Sequence, residues 1–264
     1  MEPSKSKPKK KKHSWRDYLN AVGKAHNKSR VHLESSETLL QHLNELRVRI
    51  FKAFGAVIAT TLISVFFAQN FIDYLSKPLG GRDALVSIEI TENVAIFMRV
   101  ALLGGVILGM PFIVYQIMRF LVPGLTDREK LWLLLGVPFA SLLFLSGVAF
   151  TWFVMIPTAV PFLTNFLNIR TQVRPLNYFG FITNLMFWIG LCFEMPLLVM
   201  FLAKLKFITA KQLATGWRYA FVAIAVLAAA VTPTVDPINM GLVMLPLMGL
   251  YVISIILAKF MEKN

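Results

Sequence analysis

Residues 219–258 read YAFVAIAVLAAAVTPTVDPINMGLVMLPLMGLYVISIILA, forty residues carrying a single charge, Asp236. A membrane-crossing helix needs about 20 apolar residues rising 1.5 Å each, so this stretch is long enough to cross twice. Its middle, Thr232-Pro233-Thr234-Val235-Asp236-Pro237, reads as a turn in which Asp-Pro caps and starts the next helix. Four further stretches are almost free of charge: residues 53–72, 94–118 with only Arg99, 131–169, and 175–203 with only Glu194. The reading is an all-α integral membrane protein with six transmembrane helices, at 51–71, 94–117, 131–156, 183–203, 219–233 and 238–258, the fifth and sixth short.

Composition agrees. Of 264 residues 56% are hydrophobic and 16% charged, with a mean hydropathy of +0.64, more apolar surface than a soluble domain carries. Cys192 is the single cysteine, which excludes an intrachain disulfide framework. The four histidines (His13, His26, His32, His42) all precede the first span and form no cluster of zinc-ligand spacing. No cofactor or metal is expected.

Charge sets the expected orientation. Six spans put both termini on one side, and that side carries 22 Lys and Arg against four on the other (Lys77, Arg82, Arg170, Arg174). Without the N-terminal tail the short loops still give seven against four. By the positive-inside rule both termini are cytoplasmic and the protein is a multi-pass protein of the cytoplasmic membrane. Residues 1–38, lysine-rich with a run from Lys9 to Lys12, read as a solvated, disordered cytoplasmic extension. Residues 39–260 form the membrane domain and 261–264 a short tail.

Several short motifs carry polar groups. In His42-Leu43-Asn44-Glu45-Leu46-Arg47-Val48-Arg49-Ile50, Leu43, Leu46 and Ile50 repeat at helical spacing and Glu45 lies four before Arg49. That is an amphipathic cytoplasmic helix running into span 1, and the charge pair taken by itself is an ordinary i,i+4 contact. In the loop after span 2, Phe120-Leu121-Val122-Pro123-Gly124-Leu125-Thr126-Asp127-Arg128-Glu129-Lys130 makes a Pro-Gly turn, with Thr126 or Asp127 as N-cap and Glu129 in the first turn of span 3. Glu45 and Glu129 are nonetheless acids on a face crowded with cations, and each carboxylate can take a guanidinium through paired charge-assisted hydrogen bonds. Glu194 lies near the middle of span 4, where an ionised carboxylate costs at least a few kcal/mol, so it requires a proton or a partner. Arg99, about a turn and a half inside span 2, is placed to snorkel. Gly105 and Gly109 form a small-xxx-small pair for close helix packing.

Taken together these pieces resemble the TatC family, the multispanning receptor subunit of the twin-arginine protein translocase. The resemblance rests on His42-Leu43-x-Glu45-Leu46-Arg47-x-Arg49, on Pro111-x-x-x-Tyr115-Gln116-x-x-x-Phe120-x-x-Pro123-Gly124-Leu125-x-x-x-Glu129, on Phe193-Glu194-x-Pro196, and on Thr232-Pro233 followed by Asp236 and Pro246. It covers roughly residues 40 to 260. The turn at Thr234-Val235-Asp236-Pro237 differs by one residue from the family's more compact Pro-Pro-Asp form, and the first 38 residues fall outside the pattern. The resemblance implies a subunit that binds twin-arginine signal peptides of folded cargo, recruits single-span TatA- and TatB-type partners, self-associates, and works with the proton-motive force. Glu45 and Glu129 would read the arginines, with Arg47 and Phe120 shaping that surface, and Glu194 would meet a partner helix or the inserted peptide. Arg99, Pro78 and Asp236 are kept as structural or functional candidates. No catalytic residue, enzyme activity or nucleic-acid partner is implied.

Two other classes fit less well. A small-solute transporter with Arg99, Glu194 and Asp236 as its charged pathway would show two similar halves, and no internal repeat is visible. An intramembrane enzyme would need a nucleophile with its base or a His/Asp metal cluster within the spans.

Overall fold

The computed structural model describes residues 43–121, 127–165, 172–204, 206–232 and 237–263. The chain divides into two units, residues 1–50 and 51–264, and the boundary expected after residue 38 lies outside the described residues. Among the described residues everything regular is helical, apart from one isolated bridge between Leu85 and Val173.

Helix α1, described over Leu43–Val65, runs through the Glu45 motif. The expected amphipathic prelude and first span are therefore one helix, and it ends six residues before the expected residue 71. At Phe66 and Phe67 the hydrogen bonds tighten to Ile63 and Ser64, three residues back, before α2, Ala68–Ser76, resumes. Two single-turn 3₁₀ segments, Lys77–Leu79 and Arg82–Ala84, then bracket Gly80 and Gly81, whose φ values of 94° and 105° suit glycine. Pro78 sits in the first of them, half-buried.

Helix α3 spans Glu92–Leu121. Its Gly104, Gly105 and Gly109 leave room for Thr60, Thr61 and Ser64 of α1, and a Cβ on Gly105 would stand 2.6 Å from the Thr61 Cα. The Thr60 hydroxyl uses this close approach to donate to the Gly105 carbonyl at 2.7 Å. The small-residue pair read from the sequence is thus the seat of a neighbouring helix.

The third span is longer than the expected 131–156. Helix α4, Asp127–Phe150, passes through a π-helical turn, Thr151–Met155, into α5, Ile156–Asn165, roughly 60 Å in all at 1.5 Å per residue. The wide turn shifts the register, burying Met155 in the core while Trp152 stacks on Tyr74 at 4.5 Å. The fourth span also starts early, at Pro175 rather than 183, because a proline at N1 begins a helix well and Asn177, Thr183 and Asn184 do not end one. It comprises α6, Pro175–Phe193, and α7, Met195–Lys204, separated at Glu194. Pro196 causes the break, having no N–H to return to the Cys192 carbonyl.

α4 and α6 meet at glycines. A Cβ on Gly147 would lie 2.8 Å from the Gly190 Cα, and one on Gly190 would lie 2.8 Å from the Phe144 ring. Since the first obstacle is backbone, Gly147→Ala is expected to cost about 1 kcal/mol, the low end for overpacking. A lowered melting temperature in detergent checks this; an unchanged one would mean the two helices part without penalty.

After α8, Ala210–Thr215, capped by a reciprocal Thr209–Gln212 box, α9 spans only Trp217–Val231, about 22 Å long. This helix is short, as expected. The last one is not: α10 runs Pro237–Lys263, 27 residues, without interruption at Pro246. Nothing near residue 258 terminates it, and its last turn has a role in packing, since Glu262 accepts a hydrogen bond from the Ala210 N–H at the start of α8. Residues 261–263 continue this helix. Tyr251 of α10 also donates to the Leu213 carbonyl of α8, at 2.6 Å.

The segment between α2 and α3 is pinned to the start of α6. Val86 N–H donates to the Val173 carbonyl and the Tyr178 hydroxyl to the Leu75 carbonyl, at 2.8 Å. Arg174 pairs with Glu92, which is 1% exposed, and with Glu89 at 2.6 Å. The hydrogen bonds it donates to these two carboxylates, Glu92 first, hold the Arg174 guanidinium above its ordinary range, so it stays charged.

Candidate functional site

The polar residues singled out in the sequence fall on four separate elements. Glu45 lies on α1, half-buried, and accepts from Arg49 Nε and Nη2 on one oxygen, Oε1. Its exposed neighbour Arg47 points off the same turn. Leu43 and Ile50, expected on an apolar face, are 60% and 58% exposed. Phe120 is half-buried in the last turn of α3. The residue before it, Arg119, donates to the Tyr115 hydroxyl at 3.1 Å. Glu129 is in the first turn of α4, as expected; its side chain lies outside the described residues. So do the Pro123-Gly124-Leu125 turn, Thr126 and Asp236.

Glu194 is the residue whose surroundings are most fully defined. It is the residue at which α6 stops, with φ −75° and ψ −13°, its N–H turned back to the Leu191 and Cys192 carbonyls. Its Oε1 is buried and makes no hydrogen bond with any described residue. Leu191 and Leu198, a turn to either side, are 42% and 56% exposed. A buried carboxyl oxygen left unpaired in an apolar setting costs on the order of 1–3 kcal/mol, a cost removed when a donor arrives from outside the chain.

Arg99 is exposed on α3, its guanidinium against the bare face of Gly180 on α6. The Glu89–Glu92–Arg174 cluster was not legible beforehand: Arg174 was only one of four cations on its face, and its partners stand 82 and 85 residues away. Among the described residues no group of three or more His, Cys, Asp or Glu could hold a metal ion.

Residues 41–246 match the profile of the Sec-independent protein translocase protein TatC. The chain belongs to the TatC family. It is 36% identical to the Sec-independent protein translocase protein TatC of Deinococcus radiodurans, over 85% of this chain and 87% of that one. It is 33% identical to TatCy of Bacillus subtilis, over 84% and 89% respectively. Among solved structures it resembles the twin-arginine translocase receptor TatC, with a TM-score of 0.74 and 31% identity over 83% of this chain and 99% of that one. This TatC-family chain is thus a multi-pass membrane subunit of a protein translocase. Five of its described helices are long and apolar enough to cross a membrane, and Trp217–Val231 is a shorter apolar helix.

Proposed function

We propose that this chain is the signal-peptide receptor of a twin-arginine translocase in the cytoplasmic membrane, with both termini cytoplasmic and α9 crossing as the fifth of six spans. Glu45 and Glu129 bind the paired arginines of the signal peptide, Arg47 and Phe120 flank them, and Glu194 takes a polar side chain from a TatA- or TatB-type partner helix. Transport of the folded cargo then draws on the proton-motive force. What carries the reading is the likeness along nearly the whole length of a solved chain described as a twin-arginine translocase receptor. The unpaired Glu194 oxygen supports the partner contact.

The test is co-purification of the detergent-solubilised chain with a twin-arginine signal peptide and with its twin-lysine version. Lysine keeps the charge but not the planar fork that bonds a carboxylate through two donors, so the twin-arginine peptide should be retained about tenfold more. Equal retention would reduce the interaction to charge attraction. The orientation has its own check, in a chain whose Cys192 has been replaced. Cysteines at Asn27 and Gly81 should label from opposite sides of the membrane, and same-side labelling would end the six-span arrangement.

A further inference from the structure

Of the other described cations at this end of the helix bundle, Lys77 lies over the Tyr74 ring and the two arginines are paired with carboxylates. Arg82 pairs with Asp73, and Arg174 with Glu89 and Glu92. Arg99 has no carboxylate within ion-pair distance among the described residues, although it is set inside a membrane-crossing helix. Gly180 makes room for it: a Cβ there would collide with the guanidinium. Asn177 and Asn184 are exposed on α6, three residues before and four after Gly180, so all three lie along one face of that helix. The result is a guanidinium flanked by two carboxamides on a wall otherwise lined by exposed apolar side chains such as Met98, Leu102 and Trp188.

Depth identifies what such a patch binds. Arg99 and Arg119, both exposed on α3, are twenty residues apart, about 30 Å of helix, which equals the hydrocarbon thickness of a bilayer. Arg99 therefore marks one rim of the hydrocarbon, and the Glu92–Arg174 pair stands about 10 Å further out. Lipid phosphates lie at that rim, and an arginine fork pairs with a phosphate through two parallel hydrogen bonds. We infer that Arg99, seated on Gly180 between Asn177 and Asn184, is a binding site for the phosphodiester of an anionic phospholipid in the leaflet nearest residues 77–91. Asn177, a turn nearer the water, reaches the headgroup, and Asn184, a turn deeper, reaches the glycerol esters. This rests on membrane crossing by α3 and α6 alone, and holds whichever residues read the signal peptide.

Native mass spectrometry of the full chain, titrated with phosphatidylglycerol in detergent, tests it. Losing the arginine–phosphate pair should weaken retention about tenfold in R99Q, with R99K intermediate and millimolar inorganic phosphate failing to displace the lipid. Wild-type retention by R99Q would overturn the site. Displacement by inorganic phosphate would reassign it to a soluble anion. A photoreactive residue at position 177 should crosslink to lipid in native membranes; a crosslink to a protein helix instead would replace the lipid with a partner carboxylate. If R99Q melts early in lipid-free detergent, the N177L/N184L double variant, which keeps Arg99, serves in its place. It should retain severalfold less phosphatidylglycerol, and unchanged retention would overturn the proposal.

Discussion

Replacing Glu45 and Glu129 together by glutamine is expected to weaken binding of a twin-arginine signal peptide by at least tenfold to a hundredfold. Each charge-assisted pair to a guanidinium contributes about 1.5–3 kcal/mol, and 1.4 kcal/mol is a tenfold change in affinity. Glu45 is already paired with Arg49, but that contact joins residues four apart on one helix surface, and such pairs contribute only about 0.3–0.5 kcal/mol. An incoming arginine therefore displaces it at small cost. The Glu45 carboxylate also keeps 36% of its side-chain surface exposed, so a ligand can reach it without moving the helix. Fluorescence anisotropy with a labelled peptide, wild type against the double variant in the same detergent, measures the change. Unchanged affinity would leave Glu45 as a helix-surface pair and Glu129 as a first-turn carboxylate that favours its own helix.

Glu194→Ala is expected to loosen recruitment of the single-span partners by roughly threefold to thirtyfold, the equivalent of an interhelical hydrogen bond of about 0.6–2 kcal/mol, and to depress export in proportion. The side chain stands at the break between α6 and α7 with one oxygen buried and unpaired. The adjacent exposed Leu191 and Leu198 offer an apolar seat to either side of it. Glu194→Gln keeps an acceptor and adds a donor, so it should lose less than alanine. Signal-peptide affinity should be unchanged in both variants. Site-specific crosslinking from position 194 in membranes containing the partners decides the contact: crosslinks confined to other helices of the same chain would make Glu194 an internal hydrogen-bonding group.

Much of this architecture is written locally. Each apolar run, each proline that starts or breaks a helix, and the Glu45–Arg49 pair depend on residues within about four positions of one another. Hydropathy and helical spacing therefore recover them from the sequence, along with the charge bias and the separated motifs of the family. Even so, boundaries slipped where local signals were silent. Nothing in residues 175–182 forbids helix, and nothing at 258 ends it, so α6 begins earlier and α10 runs further than composition suggests. The candidate site was legible as a set of residue types in the right order, because carboxylates among cations and an acid within an apolar span are conspicuous without any coordinates.

The pairing of distant segments was decided by tertiary structure. That Gly105 receives Thr61, that Gly147 faces Gly190, that Arg174 reaches back to a fully buried Glu92, and that Glu262 caps α8 all follow from helices packing at closest approach. Such contacts join residues roughly 40 to 85 positions apart. Their energies depend on the rotation and depth of one helix against another, set jointly by every side chain in the interface, and no window of sequence contains that information.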